Sequence, residues 1–362
     1  MRYSTLILFT AIFALFIIAS VALYSIDFAR DYYDLGTKHF FRKYIVYILM
    51  GIIVSSFLAF FLNIELLENK KTLWWLYGLV VILLLLALVG PFSYERNGAN
   101  RWIKIENFPF TFQPSEIAKV YIIYFLSLYI KDNKEKMKHI WYGLLKPLIL
   151  ISPILFLIFI EPDFSTTMLI VLVAITLLYF GGVKMFQIIF LSFLLIVLLF
   201  ISKEVGLIHD YQLKRINDFL SNEMHWQLEK AYEAIGNGGI LGAGPTLGKY
   251  YFLVPQSESD FILATIGENL GFFGILIIIS SYLFIVSSLI KISDEINNEF
   301  LRYFIWGYAT LMLFHVVINM GVVSHIFPVT GITLPFVSYG GSSILSFSIG
   351  LGIIFSGVYS QE

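Results

Sequence analysis

The chain has 362 residues, 58% of them hydrophobic and 14% charged, whereas soluble domains carry about 25% charged residues. That excludes a soluble fold with a single anchor and points to an all-α polytopic membrane protein. A formal net charge of −1 argues against nucleic acid, and the absence of cysteine excludes a disulfide framework and a cysteine-based metal site.

A bilayer core takes about 20 apolar residues of helix. The first such run, roughly 5–26, follows Arg2 and ends in Ser20-Val21-Ala22, which faintly resembles a signal cleavage site. It is long enough to span, and more spans follow, so it reads as the first helix of about ten. The others are roughly 44–62, 73–90, 114–130, 147–160, 164–181, 185–203, 261–290, 303–323 and 340–358. The fifth is short and extends readily into Trp141-Tyr142-Gly143. No ten-residue alternation suggests a barrel, so the spans read as a helical bundle forming a single integral membrane domain, 1–362.

Short-loop Lys and Arg set the orientation. The loop 131–146 holds Lys131, Lys134, Lys136, Lys138 and Lys146, and Lys70 and Lys71 fall on the same side. Both termini are then cytoplasmic, and the long loop, about 204–260, lies outside with 91–113, 160–164 and 324–339.

The fourth span opens with Gln113-Pro114-Ser115-Glu116-Ile117-Ala118-Lys119. Glu116 and Lys119 share one helix face at membrane depth, where a charge costs roughly 2.5–3.5 kcal/mol. They are either a structural ion pair that locks helix packing or the lining of a polar pocket. The outer loops hold the other unusual residues. Arg101-Trp102 suits a phosphorylated sugar, by a guanidinium fork and indole stacking, and equally suits an interfacial anchor. Glu161-Pro162-Asp163 precedes Thr166 and Thr167, and Tyr211-Gln212 precedes Lys214 and Arg215. Gly242 to Lys249 imitates a phosphate-binding loop, but Tyr250 stands where Ser or Thr is required. The six histidines show no ligand spacing. His315 and Asn319 read as an interhelical hydrogen-bonding pair before a catalytic one. Asp260, on its own, reads first as the cap of the eighth span.

The ordered set Gly98-Ala99-Asn100-Arg101-Trp102, Gln113 to Lys119, Glu161 to Thr166, Tyr211 to Ile216, Ala234 to Gly239, Ser259 to Ile262, Pro328 to Phe336 and Ser338 to Ser343 resembles the SEDS family (shape, elongation, division and sporulation). The motifs run in family order, and the span count agrees. The resemblance implies a peptidoglycan glycosyltransferase that polymerises lipid II at the outer face of the bacterial cytoplasmic membrane. Its partners would be a class B penicillin-binding protein and other membrane proteins of the division or elongation machinery. Asp260 matches the family aspartate held to be essential, as the general base for the acceptor hydroxyl. Arg101, Lys119 and Arg215 supply cations for a pyrophosphate leaving group, with Trp102 beside them. Glu116 and Asp163 shape the cavity or hold a divalent cation, Mg or Mn.

This chain departs from the pattern before the aspartate. The family often reads Pro-Glu-x-His-x-Asp-Phe, whereas here Pro255-Gln256-Ser257-Glu258-Ser259-Asp260-Phe261 stands. Glu258 therefore joins the substrate-binding set and competes for the role of base. Ile266-Gly267-Glu268 and Thr333-Leu334-Pro335-Phe336 lean toward the division branch. A lipid II flippase and a non-catalytic scaffold for a synthase are the rival readings. A carrier would need access from both faces, and a scaffold would need neither Asp260 nor Glu116.

Overall fold

Apolar runs become helices, because inside lipid only a helix or a closed barrel satisfies every backbone group. The structure, a computed structural model, describes residues 2–36, 38–90, 92–96, 99–104, 111–191, 219 and 226–360. In chain order the helices are α1 (Arg2–Tyr32), α2 (Phe40–Phe61), α3 (Ile64–Glu68), α4 (Lys70–Val89), α5 (Pro114–Asn133), α6 (Lys146–Ile160), α7 (Phe164–Phe180), α8 (Trp226–Gly238), α9 (Ile262–Glu295), α10 (Glu299–Val323) and α11 (Gly341–Tyr359). Nine of the ten expected spans coincide with these helices. The remaining one, 185–203, is helical over 185–191 and otherwise lies outside the described residues.

Among the described residues seven helices are long and apolar enough to cross a membrane, Trp141–Ile160 counting as one. That segment is a π-helical turn, Trp141–Leu145, running into α6, so the short fifth span does extend through Trp141. Gly143 permits it, since a Cβ there would sit 1.9 Å from the Met137 carbonyl oxygen. α7 has 17 residues, and α5 has 20 but carries Glu116, Lys119, Lys131 and Asp132. The chain packs as two units. One comprises residues 1–54, 215–292 and 312–348; the other comprises 55–214, 293–311 and 349–362.

In the first unit α1 buries Leu8, Leu15 and Leu23 completely. The segment 328–340 is fixed by side chains bonding its carbonyls. Tyr44 Oη donates to Phe336 O at 2.5 Å and Tyr282 Oη to Pro335 O at 2.6 Å. Phe336 has φ 62 and packs edge-on against Phe16 at 5.8 Å. α9 is not the single helix that a continuous 261–290 span implies. It breaks at Gly271, where φ is 63 and ψ −157. A Cβ at Gly271 would sit 2.4 Å from Gly242 N and 2.5 Å from Ile240 O, so the glycine-rich run lies directly on the break.

In the second unit α5 is the central helix. Every residue from Pro114 to Ile130 except Ile117 is buried, and α4, α6 and α7 pack around it. Its tyrosines bond neighbouring carbonyls, Tyr121 to Leu73 O at 2.9 Å, Tyr124 to Leu67 O at 2.6 Å and Tyr129 to Tyr142 O at 2.7 Å. A Cβ at Gly307 would lie 2.6 Å from Ile123 Cγ2, so α10 approaches α5 closely there. At one end Glu68 receives Lys131 at 2.7 Å and Asn298 at 2.9 Å, and Lys134 meets Glu299 at 2.5 Å.

The segment expected to be a plain loop between α4 and α5 is a three-stranded antiparallel sheet, β1 (Ser93–Arg96), β2 (Ala99–Lys104) and β3 (Thr111–Phe112). Tyr94 pairs with Trp102, and Ile103 pairs with both Ser93 and Phe112.

Candidate functional site

Each unit holds one cluster of the sequence-predicted residues. In the second unit β2 carries Arg101 onto the turn Glu161-Pro162-Asp163 between α6 and α7. Its Nε donates to Glu161 O at 2.8 Å, and a terminal nitrogen donates to Pro162 O. The other terminal nitrogen stands 3.7 Å from Asp163 Oδ1. Asp163 caps α7, accepting from Thr166 N at 3.2 Å, and Gln113 Nε2 donates to its other oxygen at 3.3 Å. Arg101, Asp163, Glu161 and Gln113 are thus brought together. Trp102, next in the strand, points to the opposite face and pairs with Tyr94. One ligand therefore cannot be gripped by the Arg101 fork and the Trp102 indole as neighbouring groups.

Glu116 and Lys119 follow Gln113 in the first turns of α5 and meet at 2.9 Å. Both are buried, with 8% and 2% of their surface exposed. Their spacing on one helix face was sufficient to predict the contact. Glu161 is fully buried, and among the described residues neither carboxylate oxygen has a hydrogen-bond partner. Burial first, then the Asp163 charge, pushes its carboxyl up to about 9, with Arg101 offsetting part of the rise.

In the first unit Asp260 sits on the turn that enters α9. Helix α9 begins at Ile262, so Asp260 precedes the cap position instead of filling it. Gln256, with φ 56, closes this turn by accepting from Ser259 N at 3.0 Å and Phe261 N at 3.2 Å. Three groups from the 319–339 region hold it in place. Asn319 Nδ2 donates to Asp260 O at 2.9 Å, Ser338 Oγ to Ser259 O at 2.6 Å, and Tyr339 N to Glu258 O at 2.8 Å. Glu258 and Asp260 are both half-buried on the same turn. His315 and Asn319, expected to bond across helices, reach loop carbonyls, His315 Nδ1 meeting Thr333 O at 2.8 Å, and His315 packs edge-on against Phe347 of α11 at 5.3 Å. Arg215 lies outside the described residues, as do Tyr211 and Gln212.

Sequence reasoning undervalued Glu268. It is fully buried on α9. Its carboxylate accepts from Asn237 Nδ2 at 2.8 Å, Lys249 N at 2.6 Å, Tyr250 N at 3.0 Å and Tyr251 N at 2.6 Å. Consecutive backbone N–H groups form an anion nest, and its anion is the protein's own side chain. The run that imitated a phosphate loop is therefore filled from within. A carboxylate inside an apolar run was the available signal.

Among the described residues no site fits a protein-held divalent cation. Both Asp163 oxygens are already engaged, and among the described residues no group of three or more His, Asp or Glu could hold a metal ion.

A family profile described as a cell cycle protein, spanning FtsW, RodA and SpoVE, matches residues 5–361. A probable peptidoglycan glycosyltransferase FtsW from Taylorella equigenitalis is 33% identical over 337 residues, 89% of this chain and 89% of that protein. Another, from Coxiella burnetii, is 28% identical over 334 residues, 90% of this chain and 87% of that one. A chain of a peptidoglycan synthase complex, solved for the structural coordination of polymerization and crosslinking, superposes with a TM-score of 0.77 at 23% identity, over 98% of both chains. The rod shape determining protein RodA of Thermus thermophilus gives 0.68 at 22%, over 96% of this chain and 94% of that one. At such identities the two solved structures establish the fold. The motif set, the profile across nearly every residue and the relative at one-third identity agree: the chain belongs to the FtsW/RodA/SpoVE family of cell cycle proteins.

Proposed function

We propose that the chain is a peptidoglycan glycosyltransferase that polymerises lipid II at the outer face of the bacterial cytoplasmic membrane. The observation that carries this reading is Asp260, a half-buried carboxylate on a turn whose carbonyls are tied down by Asn319, Ser338 and Tyr339. In the reaction the sugar 4-hydroxyl of the acceptor attacks the donor's anomeric carbon. Asp260 takes the hydroxyl proton as the new bond forms, and the polyprenyl pyrophosphate leaves with the bonding electron pair. One direct displacement converts the α-linked donor to a β-1,4 bond, with no sugar–enzyme intermediate. A hydroxyl is a poor nucleophile near neutral pH, and a positioned base contributes about 10²–10⁴-fold. No step is routed through a metal ion.

Lys119 with Glu116, Asp163, Trp102 and Arg215 are assigned to substrate binding and Glu258 to the acceptor side. Arg101 is assigned to holding the 161–163 turn, since its guanidinium bonds two of that turn's carbonyls. A single-span class B penicillin-binding protein is the assigned partner, and likeness to a chain of a synthase complex supports it. FtsW relatives at 28–33% identity favour a role in division over elongation.

The test is polymerisation of labelled lipid II by the purified protein with its transpeptidase partner. Asp260→Asn keeps the shape and removes the basicity, so it is expected to fold, bind the partner and make almost no polymer. Glu258→Gln is the control. Normal polymerisation by Asp260→Asn beside a dead Glu258→Gln moves the base to Glu258. Full activity of both returns the flippase and scaffold readings.

A further inference from the structure

We infer that Asn319 is a positioning residue for Asp260. This rests on the reading of Asp260 as the base.

Asn319 lies in the last turns of α10 with 2% of its surface exposed. Its Nδ2 bridges two carbonyls from different segments, Asp260 O at 2.9 Å and Ile332 O at 2.7 Å. Both partners are acceptors, so the amide orientation is fixed: a flipped side chain would set Oδ1 against two carbonyl oxygens. One helical turn earlier His315 bonds Thr333 O at 2.8 Å. Two side chains of one rigid helix thus hold consecutive carbonyls of the 332–333 segment, and one of them also holds the base's own backbone. This is a ruler, not a general packing contact: shifting Asn319 shifts Asp260 with respect to α10.

Gly331, beside Ile332, has φ 78, a conformation that L side chains rarely adopt. A Cβ built there would lie 3.4 Å from Asp260 Oδ2, an ordinary van der Waals distance, so the Gly331 turn runs beside the base. Asn319 does not need to touch substrate. It sets where the carboxylate stands.

The experiment measures lipid II polymerisation by the complex of the full chain and its transpeptidase partner, as kcat and KM per folded molecule. Asn319→Ala, Asn319→Ser and Asn319→Gln are compared with the parent, and Asp260→Asn runs in parallel. The expected result is a kcat at least tenfold lower for Asn319→Ala with KM for lipid II within twofold. Asn319→Gln, which keeps the amide, should recover part of the loss. If Asn319→Ala does not fold, Asn319→Ser carries the same kcat-against-KM comparison. An unchanged kcat per folded molecule in the folded variant overturns the inference. So does a loss that falls equally on all three substitutions, which a structural role produces. A parent-like rate for Asp260→Asn overturns the assignment of the base, and the inference with it. A dead Asp260→Asn beside a parent-like Asn319→Ala overturns the inference alone.

Discussion

Glu161 has no exposed surface, and its two carboxylate oxygens meet no donor among the described residues. Its neighbour Asp163 is supported by a backbone N–H, an amide and a guanidinium. Two residues apart, one carboxylate is solvated by the protein and the other is not. The consequence for stability has a definite sign. The ordinary value is 4.5 and the folded one is pushed up to about 9. Between those limits the folded state holds a proton that the unfolded state has released. Stability is therefore fully present below about pH 4.5 and falls as pH rises toward 9, by up to roughly 1.4 kcal/mol per pH unit. Glu161→Gln keeps the shape of the neutral acid and removes the titration. Thermal unfolding in detergent should show the variant more stable than the parent at pH 8 and nearly equal to it at pH 5. A gap of the same size at both values would mean that Glu161 is not held protonated.

At the scale of the element, α5 carries Glu116 and Lys119 in a helix buried on almost every side. Replacing Glu116 with Ala removes the carboxylate that Lys119 faces, a change that costs about 3–5 kcal/mol in buried pairs. Replacing Glu116 with Leu and Lys119 with Met together should restore thermal stability without restoring polymerisation. Full polymerase activity in the double variant would reduce the pair to a packing device. This contact was legible in the sequence, because position along a helix fixes the neighbours three and four residues away. Spans were legible for a similar reason, since apolar length is a local property. What escaped was tertiary. The strands β1, β2 and β3 have four, six and two residues, too short to show a period against aromatic surroundings. The break in α9 is set by where the glycine run 238–242 crosses it, which the sequence around Gly271 does not contain. The same holds for Asn319, whose partners lie on the α9 turn and on a loop beyond its own helix. Asp260 was found through its motif, but the clamp that holds it was not.

For the whole molecule the functional reading depends on sidedness. A polymerase needs Asp260 outside, where lipid-linked donor and acceptor meet. The sequence supports that placement through the five lysines of 131–146. Cysteine labelling decides it directly, since the chain has no cysteine of its own. Lys138 and Lys249 are suitable sites because both side chains are exposed. The bonds at these positions use backbone atoms, Gln187 Nε2 to Lys138 O and Lys249 N to Glu268, so a Cys substitution leaves them in place. A membrane-impermeant maleimide should label Lys249→Cys in intact cells, and label Lys138→Cys only after permeabilisation. Lys249 precedes Asp260 in the same segment, with no membrane-length helix between them, so the two share a side. Labelling of Lys249→Cys only after permeabilisation would put the base on the cytoplasmic face. There it could not act on the outer-leaflet substrate, and the chain would need another chemistry for its pinned aspartate.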